Sequence, residues 1–194
     1  MSDIRDATEA ERAAVAAMLA RAFADDPATS YIFPDPRDRA KRLPRLFALL
    51  FDEDAQGMRL VTGEAQAATL WRKPGEASVG RLEMLRQLIP MLSTFGTALA
   101  RALRVSDAID AHYPSGPFWY LHIAGVDPAY QGRGLGGASI REALARAAGD
   151  GVPAYLETAT ERNIGLYHSL GFAVTSEWHV PKGGPKFWSM LRPA

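Results

Sequence analysis

The stretch that most constrains this chain is Gln131-Gly132-Arg133-Gly134-Leu135-Gly136-Gly137. It lies between an apolar run at 118–126, closed by Asp127 and Pro128, and a segment in which Ile140, Leu144 and Ala147 recur at helical spacing until Gly149-Asp150-Gly151 stops it. A strand, a glycine loop and a helix therefore follow one another. Glycine loses more conformational freedom on ordering than any other residue, so four of them in residues 132–137 are expensive unless the backbone itself has a task. The first N–H groups of a helix have no partner inside it, and the helix dipole is positive at that end. Glycines there let an anion come close, which points to a phosphate-bearing ligand.

The next apolar run, 154–158, makes strand, helix and strand in sequence, which predicts a parallel pair joined by a right-handed crossover. Elsewhere the pattern predicts hairpins. Residues 58–61 and 66–71 flank Thr62-Gly63-Glu64-Ala65, and 173–180 with 186–191 flank a Pro181-to-Pro185 turn. Ile4 to Asp6 reads as a short strand, and Thr8 with Glu11 has capping-box spacing before a helix carrying Val15, Met18, Leu19, Ala22 and Phe23. Residues 31–36 read as a proline-bearing loop, followed by a helix with Leu43, Leu46, Phe47, Leu50 and Phe51 on one face. Leu82, Leu85, Leu88, Ile89, Leu92, Phe95, Leu99 and Leu103 predict a long helix or two over 78–104, kinked at Pro90, with a polar connection over 106–117. Residues 163–170 predict a short helix ended by Gly171. The sum is one α/β (α+β) domain over 1–194, a mixed sheet flanked by helices.

Charge narrows the partners. Lys plus Arg equals Asp plus Glu at 22 each, so no global field draws nucleic acid or an anionic membrane, and the phosphate site must be local. With no cysteine there is no disulfide, thiolate metal site or cysteine nucleophile. His112, His168 and His179 lack metal-ligand spacing, so no metal is expected. No apolar run approaches the roughly 20 residues of a spanning helix and no signal segment stands at the start, so a cytoplasmic location is expected.

Gly132-x-Gly134-x-x-Gly137 formally satisfies the dinucleotide fingerprint, with Glu157 near the place of its ribose-binding acid. Dinucleotide folds bring the glycines directly off the strand, however, and need more crossover units than the remaining chain can supply. The fuller pattern Val126-Asp127-Pro128-x-x-Gln131-x-x-Gly134-x-Gly136 resembles the acetyl-coenzyme A (acetyl-CoA) signature of the GNAT N-acetyltransferase superfamily. Asn163-x-x-x-Tyr167-x-x-Leu170-Gly171-Phe172 resembles that superfamily's second signature. Outside them, Ala22-Phe23-Ala24-Asp25, Trp119-Tyr120-Leu121 and Leu156-Glu157-Thr158 are similar to the puromycin N-acetyltransferases of that superfamily.

The resemblance implies a mostly antiparallel twisted sheet in which the strand carrying the first signature splays from its parallel neighbour at 154–158. The pantetheine arm of acetyl-CoA enters the gap, bonded by Ala124, Gly125 and Val126. Gln131, Gly132, Arg133, Gly134, Leu135, Gly136 and Gly137 hold the pyrophosphate, Arg133 being either a charge at its rim or a solvated surface residue. Asn163 contacts the arm, and Tyr167 is either the general acid or a core aromatic. The implied reaction is direct attack by the amine of a small molecule, with an oxyanion donor near Val126. For the base there are two candidates. His122 stands where serotonin N-acetyltransferases carry a histidine, though it could equally be structural, and Glu157 is a carboxylate at an apolar strand's end. Strand alternation places Tyr120, His122 and Ala124 on one face and Leu121, Ile123 and Gly125 on the other. The acceptor pocket is expected from residues 31–36, 78–104 and 182–185, in a monomer or homodimer. The alternative is a non-catalytic acyl-CoA sensor or interaction module on the same fold.

Overall fold

The computed structural model describes residues 3–77 and 88–194. Seven strands form one sheet in the order β1-β2-β3-β4-β5-β7-β6: β1 (Ile4–Asp6), β2 (Met58–Thr62), β3 (Ala67–Arg72), β4 (Trp119–Val126), β5 (Ala154–Thr158), β6 (Ala173–His179) and β7 (Lys186–Arg192). Every neighbouring pair is antiparallel except β4 with β5. The expected mixed sheet with its single parallel pair is present, and the last strand inserts between β5 and β6.

Helices cover both faces. On one side α1 (Arg12–Ala22), α2 (Pro27–Ile32), α3 (Pro36–Glu53), α4 (Leu88–Phe95) and α5 (Leu99–Asp110) surround a core that includes Met18, Leu19, Phe33, Phe47, Phe51 and Leu70. On the other, α6 (Leu135–Ala147) and α7 (Ile164–Ser169) bury Ile140, Leu144 and Tyr167 against Leu60, Trp71, Leu121, Phe172 and Met190. No described helix is long and apolar enough to cross a membrane.

Three local expectations change. Tyr31 and Ile32, the start of the expected loop, close a helix over Pro27–Ile32 instead: Asp26 accepts from the N–H groups of Ala28 (2.9 Å) and Thr29 (3.2 Å), and Pro27 fits the first helical position. Helix α5 runs on to Asp110, so the connection to β4 begins later than 106. The long-helix expectation over 78–104 falls partly outside the described residues. Its remainder is α4, containing Pro90, and α5, separated by a 3-10 turn at Gly96–Ala98.

The third change concerns β4. Its pairing with β3 slips between Leu70 and Trp71: Ile123 faces Leu70 and Leu121 faces Trp71, which leaves His122 as an extra residue in a β-bulge. The bulge ends simple alternation. Ile123 and Gly125 pack towards α1, while Ala124 moves to the α6 side with Leu121. Tyr120 and His122 remain together, their ring centroids 5.3 Å apart.

Candidate active site

Strands β4 and β5 pair only at Trp119 with Ala154 and Tyr120 with Tyr155. Beyond that point they diverge, so the β5 edge of β4 from 121 to 126 lies open in the middle of the sheet. Gly125 lets this strand approach α1, because a Cβ on it would come within 2.4 Å of Leu19 Cδ2. At the far end of the gap stands the glycine loop. Asp127 stabilises the turn by accepting from the Ala129 N–H (3.0 Å) and from Arg21, and the Gln131 side chain donates to the Val126 carbonyl (3.2 Å).

Gly132 and Gly134 adopt φ of +77° and +75°, where an L side chain is strained, and Gly134 is the N-cap of α6. The first backbone bond of the helix runs from Ala138 N–H to Gly134 O (3.0 Å), so the N–H groups of 132–137 find no backbone acceptor among the described residues. Unpaired N–H groups at a helix start are the arrangement that favours an anion. The Arg133 guanidinium lies over the Tyr130 ring at 4.9 Å and donates to the Ala129 carbonyl, at the exposed side of the loop. Gly134→Val is expected to cost about 1–2 kcal/mol of stability, from a side chain forced into the left-handed region. It should also weaken any binding of a phosphate-bearing ligand seen in calorimetry, whereas Gly149→Ala, with open space around it, should leave both unchanged.

Beside the gap, on the α1–α5 side, lies a cavity of about 340 Å3. Tyr167, Asn163, Glu157, His122 and Ala124 all line it. Tyr167 is buried on α7, edge-on to Phe172 with ring centroids 6.2 Å apart. Burial, reinforced by the nearby carboxylates of Asp26 and Glu157, pushes its phenol up to about 12, so it keeps its proton at neutral pH. Asn163 ends the 3-10 turn Glu161–Asn163 that leads into α7.

Glu157 projects from β5 and accepts a hydrogen bond from the Tyr120 hydroxyl on Oε1. Its Oε2 is buried and has no hydrogen-bond partner. Burial raises the carboxyl to about 8, against the opposing pull of Tyr120 and Arg72. His122 Nδ1 lies 2.8 Å from Asp54 Oδ2. Burial and the Arg72 charge hold the imidazole below its ordinary pKa although Asp54 pulls the other way, so the ring is neutral at pH 7. Burial alone would raise Asp54, but His122 and Arg72 outweigh it and keep the carboxylate ionised. An ionised Asp54 can only accept, so Nδ1 carries the proton and Nε2 keeps a free lone pair.

The sequence model of the acetyltransferase (GNAT) family matches residues 95–172, which contain the open edge, the glycine cradle and Tyr167. An acetyltransferase of Corynebacterium glutamicum, described with histone acetyltransferase HPA2, superposes with a TM-score of 0.75 at 27% identity, covering 100% of this chain and 97% of that one. The chain has the GNAT fold. Arylalkylamine N-acetyltransferase 2 of Aedes aegypti shares it at 15% identity, with a TM-score of 0.63 over 99% and 98% of the two chains. N-alpha-acetyltransferase RimI of Mycobacterium tuberculosis is 51% identical over 59 residues, which are 29% of this chain and 36% of that protein. The match spans about a third of that relative's length.

Within the GNAT fold, two polar residues escape sequence reasoning, Arg72 and Asp54, and a third, Tyr120, is placed on its face but given no role. Arg72 donates through Nε to Asp54 Oδ1 (2.7 Å), through Nη2 to Glu53 (3.0 Å) and through Nη1 to the Ala77 carbonyl (2.8 Å). Asp54, 1% exposed, is held between Arg72 and His122. Tyr120 anchors Glu157. Asp54 follows Asp52 and Glu53 at the end of a helix, where acidic residues read as a solvated cap; an arginine closing the apolar strand β3 is the one signal that a buried carboxylate waits nearby. Of the expected acceptor regions, Ile32, Met91, Phe95 and Leu103 line the cavity, but residues 182–185 do not. No group of three or more potential metal-binding side chains occurs among the described residues.

Proposed function

We propose that this chain is an acetyl-CoA-dependent N-acetyltransferase that transfers the acetyl group directly to a primary amine of a small molecule. The observation that carries this reading is the parallel pair that pairs at one end and opens at the other, with an anion cradle at the mouth and a lined cavity beside it. The open edge of Ala124 to Val126 would bond the pantetheine amides, and the N–H groups of Gly132 to Gly137 the pyrophosphate, with Gln131, Arg133 and Leu135 shaping the loop. Asn163 would contact the arm.

In this scheme the amine nitrogen bonds to the acetyl carbon as the carbon–sulfur bond breaks. A backbone N–H near Val126 meets the oxyanion that develops. His122, neutral and oriented by Asp54, takes the amine's proton through Nε2, directly or through water. Glu157, as the carboxylate, meets the incoming ammonium with its unpartnered oxygen and takes its first proton, leaving the neutral amine that attacks, and Tyr167 supplies a proton to the departing thiolate. No covalent enzyme intermediate is needed, in keeping with a chain that has no cysteine. The likeness of Leu156-Glu157-Thr158 and its companions to the puromycin N-acetyltransferases supports including an aminonucleoside among the acceptors tested.

Calorimetry with acetyl-CoA, followed by thiol release over a panel of amines that includes puromycin, tests the reading. Binding together with amine-dependent thiol release is expected. Absence of binding at high micromolar acetyl-CoA would overturn it, and binding without thiol release for any amine would leave a coenzyme A sensor. The carboxylate form of Glu157 is the one that holds an ammonium, so kcat/KM should rise as pH passes about 8. Glu157→Gln should remove that inflection and leave any due to the acceptor's own ammonium; an unchanged profile would remove Glu157 from the site.

A further inference from the structure

We infer that the acceptor is a monoamine with an apolar body, such as an arylalkylamine or alkylamine, rather than a polyamine or a peptide amino terminus. The inference rests on the transferase reading above and narrows it. The cavity's lining is mixed. Strands β4 and β5 contribute Tyr120, His122 and Glu157. The helical side contributes a largely apolar wall, Phe23, Phe47, Leu50, Met91, Phe95 and Leu103, interrupted by Thr29, Glu53 and Ser106.

Among the described residues that line the cavity, one carboxyl oxygen is vacant. Glu157 Oε2 is buried without a hydrogen-bond partner, while the other described carboxylates that line the cavity are engaged. Asp26 caps α2 and accepts from Thr160. Glu53 receives Arg72, and Asp110 receives the Tyr113 hydroxyl. One ammonium can therefore be matched inside the cavity. The second ammonium of a diamine would lie against the apolar wall or compete for a carboxylate already bonded, and burying an unmatched charge is strongly unfavourable.

A peptide meets a different obstacle. Its first amide N–H and C=O follow the reactive nitrogen within a few bonds and need partners once out of water. Phenyl, leucyl and methionyl side chains supply none, and an unpaired amide in such surroundings costs about 2 kcal/mol or more. A phenyl ring or alkyl chain on the same wall gains instead, at roughly 25 cal/mol for each Å2 removed from water. The volume of about 340 Å3 is within the range of small-molecule pockets.

The test measures kcat/KM by thiol release from acetyl-CoA with 2-phenylethylamine, hexylamine, ethylamine, putrescine, spermidine and the peptide Ala-Gly-Gly. Phenylethylamine and hexylamine should exceed the other four by roughly 10–200-fold, the discrimination that apolar contacts supply. Leu50→Gln, a change on a half-buried wall residue, should lower the two favoured amines about 10-fold relative to ethylamine. Equal or greater activity with spermidine, putrescine or the peptide would overturn the inference and leave the transferase reading standing. Thiol release with none of the six would tell against both.

Discussion

Tyr167→Phe should lower kcat by about 10²–10⁴-fold, the usual contribution of a positioned proton donor, while acetyl-CoA affinity changes little. The hydroxyl belongs to a buried ring held by Phe172, and the substitution keeps that packing, so stability should move little. What is lost is the proton that burial keeps on the oxygen. Rapid-quench or steady-state thiol release with a saturating amine, together with calorimetry of acetyl-CoA binding, separates the two effects. Unchanged turnover would return Tyr167 to the role of a core aromatic.

Asp54→Ala should be the most destabilising single change at the site, by about 3–5 kcal/mol, because it strips a buried cation of its partner. The Arg72 side chain is 11% exposed and, among the described residues, would keep Glu53 and the Ala77 carbonyl. Chemical denaturation compared with the parent protein reads this directly. Asp54→Asn keeps the shape and softens the loss, and it separates stability from chemistry. The amide no longer selects the Nδ1–H tautomer of His122, so turnover should fall towards that of His122→Ala while the fold persists. A stable Asp54→Asn protein with full activity would show that His122 is structural.

The glycine loop and its neighbours were legible because their constraints are local. A left-handed N-cap at Gly134, a proline-closed turn at Asp127 and Pro128, and a short helix ended by Gly171 at φ +87° each follow from a few adjacent residues. The parallel crossover followed in the same way from strand, helix and strand. What the chain concealed depends on distant partners. The bulge at His122 exists because of its register against Leu70 and Trp71, about fifty positions earlier, and period-two reasoning has no access to register. The Asp26-Pro27 helix start was hidden by prolines that also signal loops, and the Asp54–Arg72 pair is visible only when α3 and β3 are packed together. The motif residues, carried by resemblance, named a donor. The proposed acceptor preference rests on scattered apolar positions of α3, α4 and α5 that any core helix could show.

Hydrogen exchange with and without acetyl-CoA is the most direct measurement of the central claim, that the opened β4–β5 gap and the glycine cradle together receive the cosubstrate. The account predicts slowed amide exchange at Ala124 to Val126 and across Gly132 to Gly137 on binding, with β1 and β6 at the sheet's edges unaffected. Acetyl-CoA binding with no protection in either stretch would contradict it.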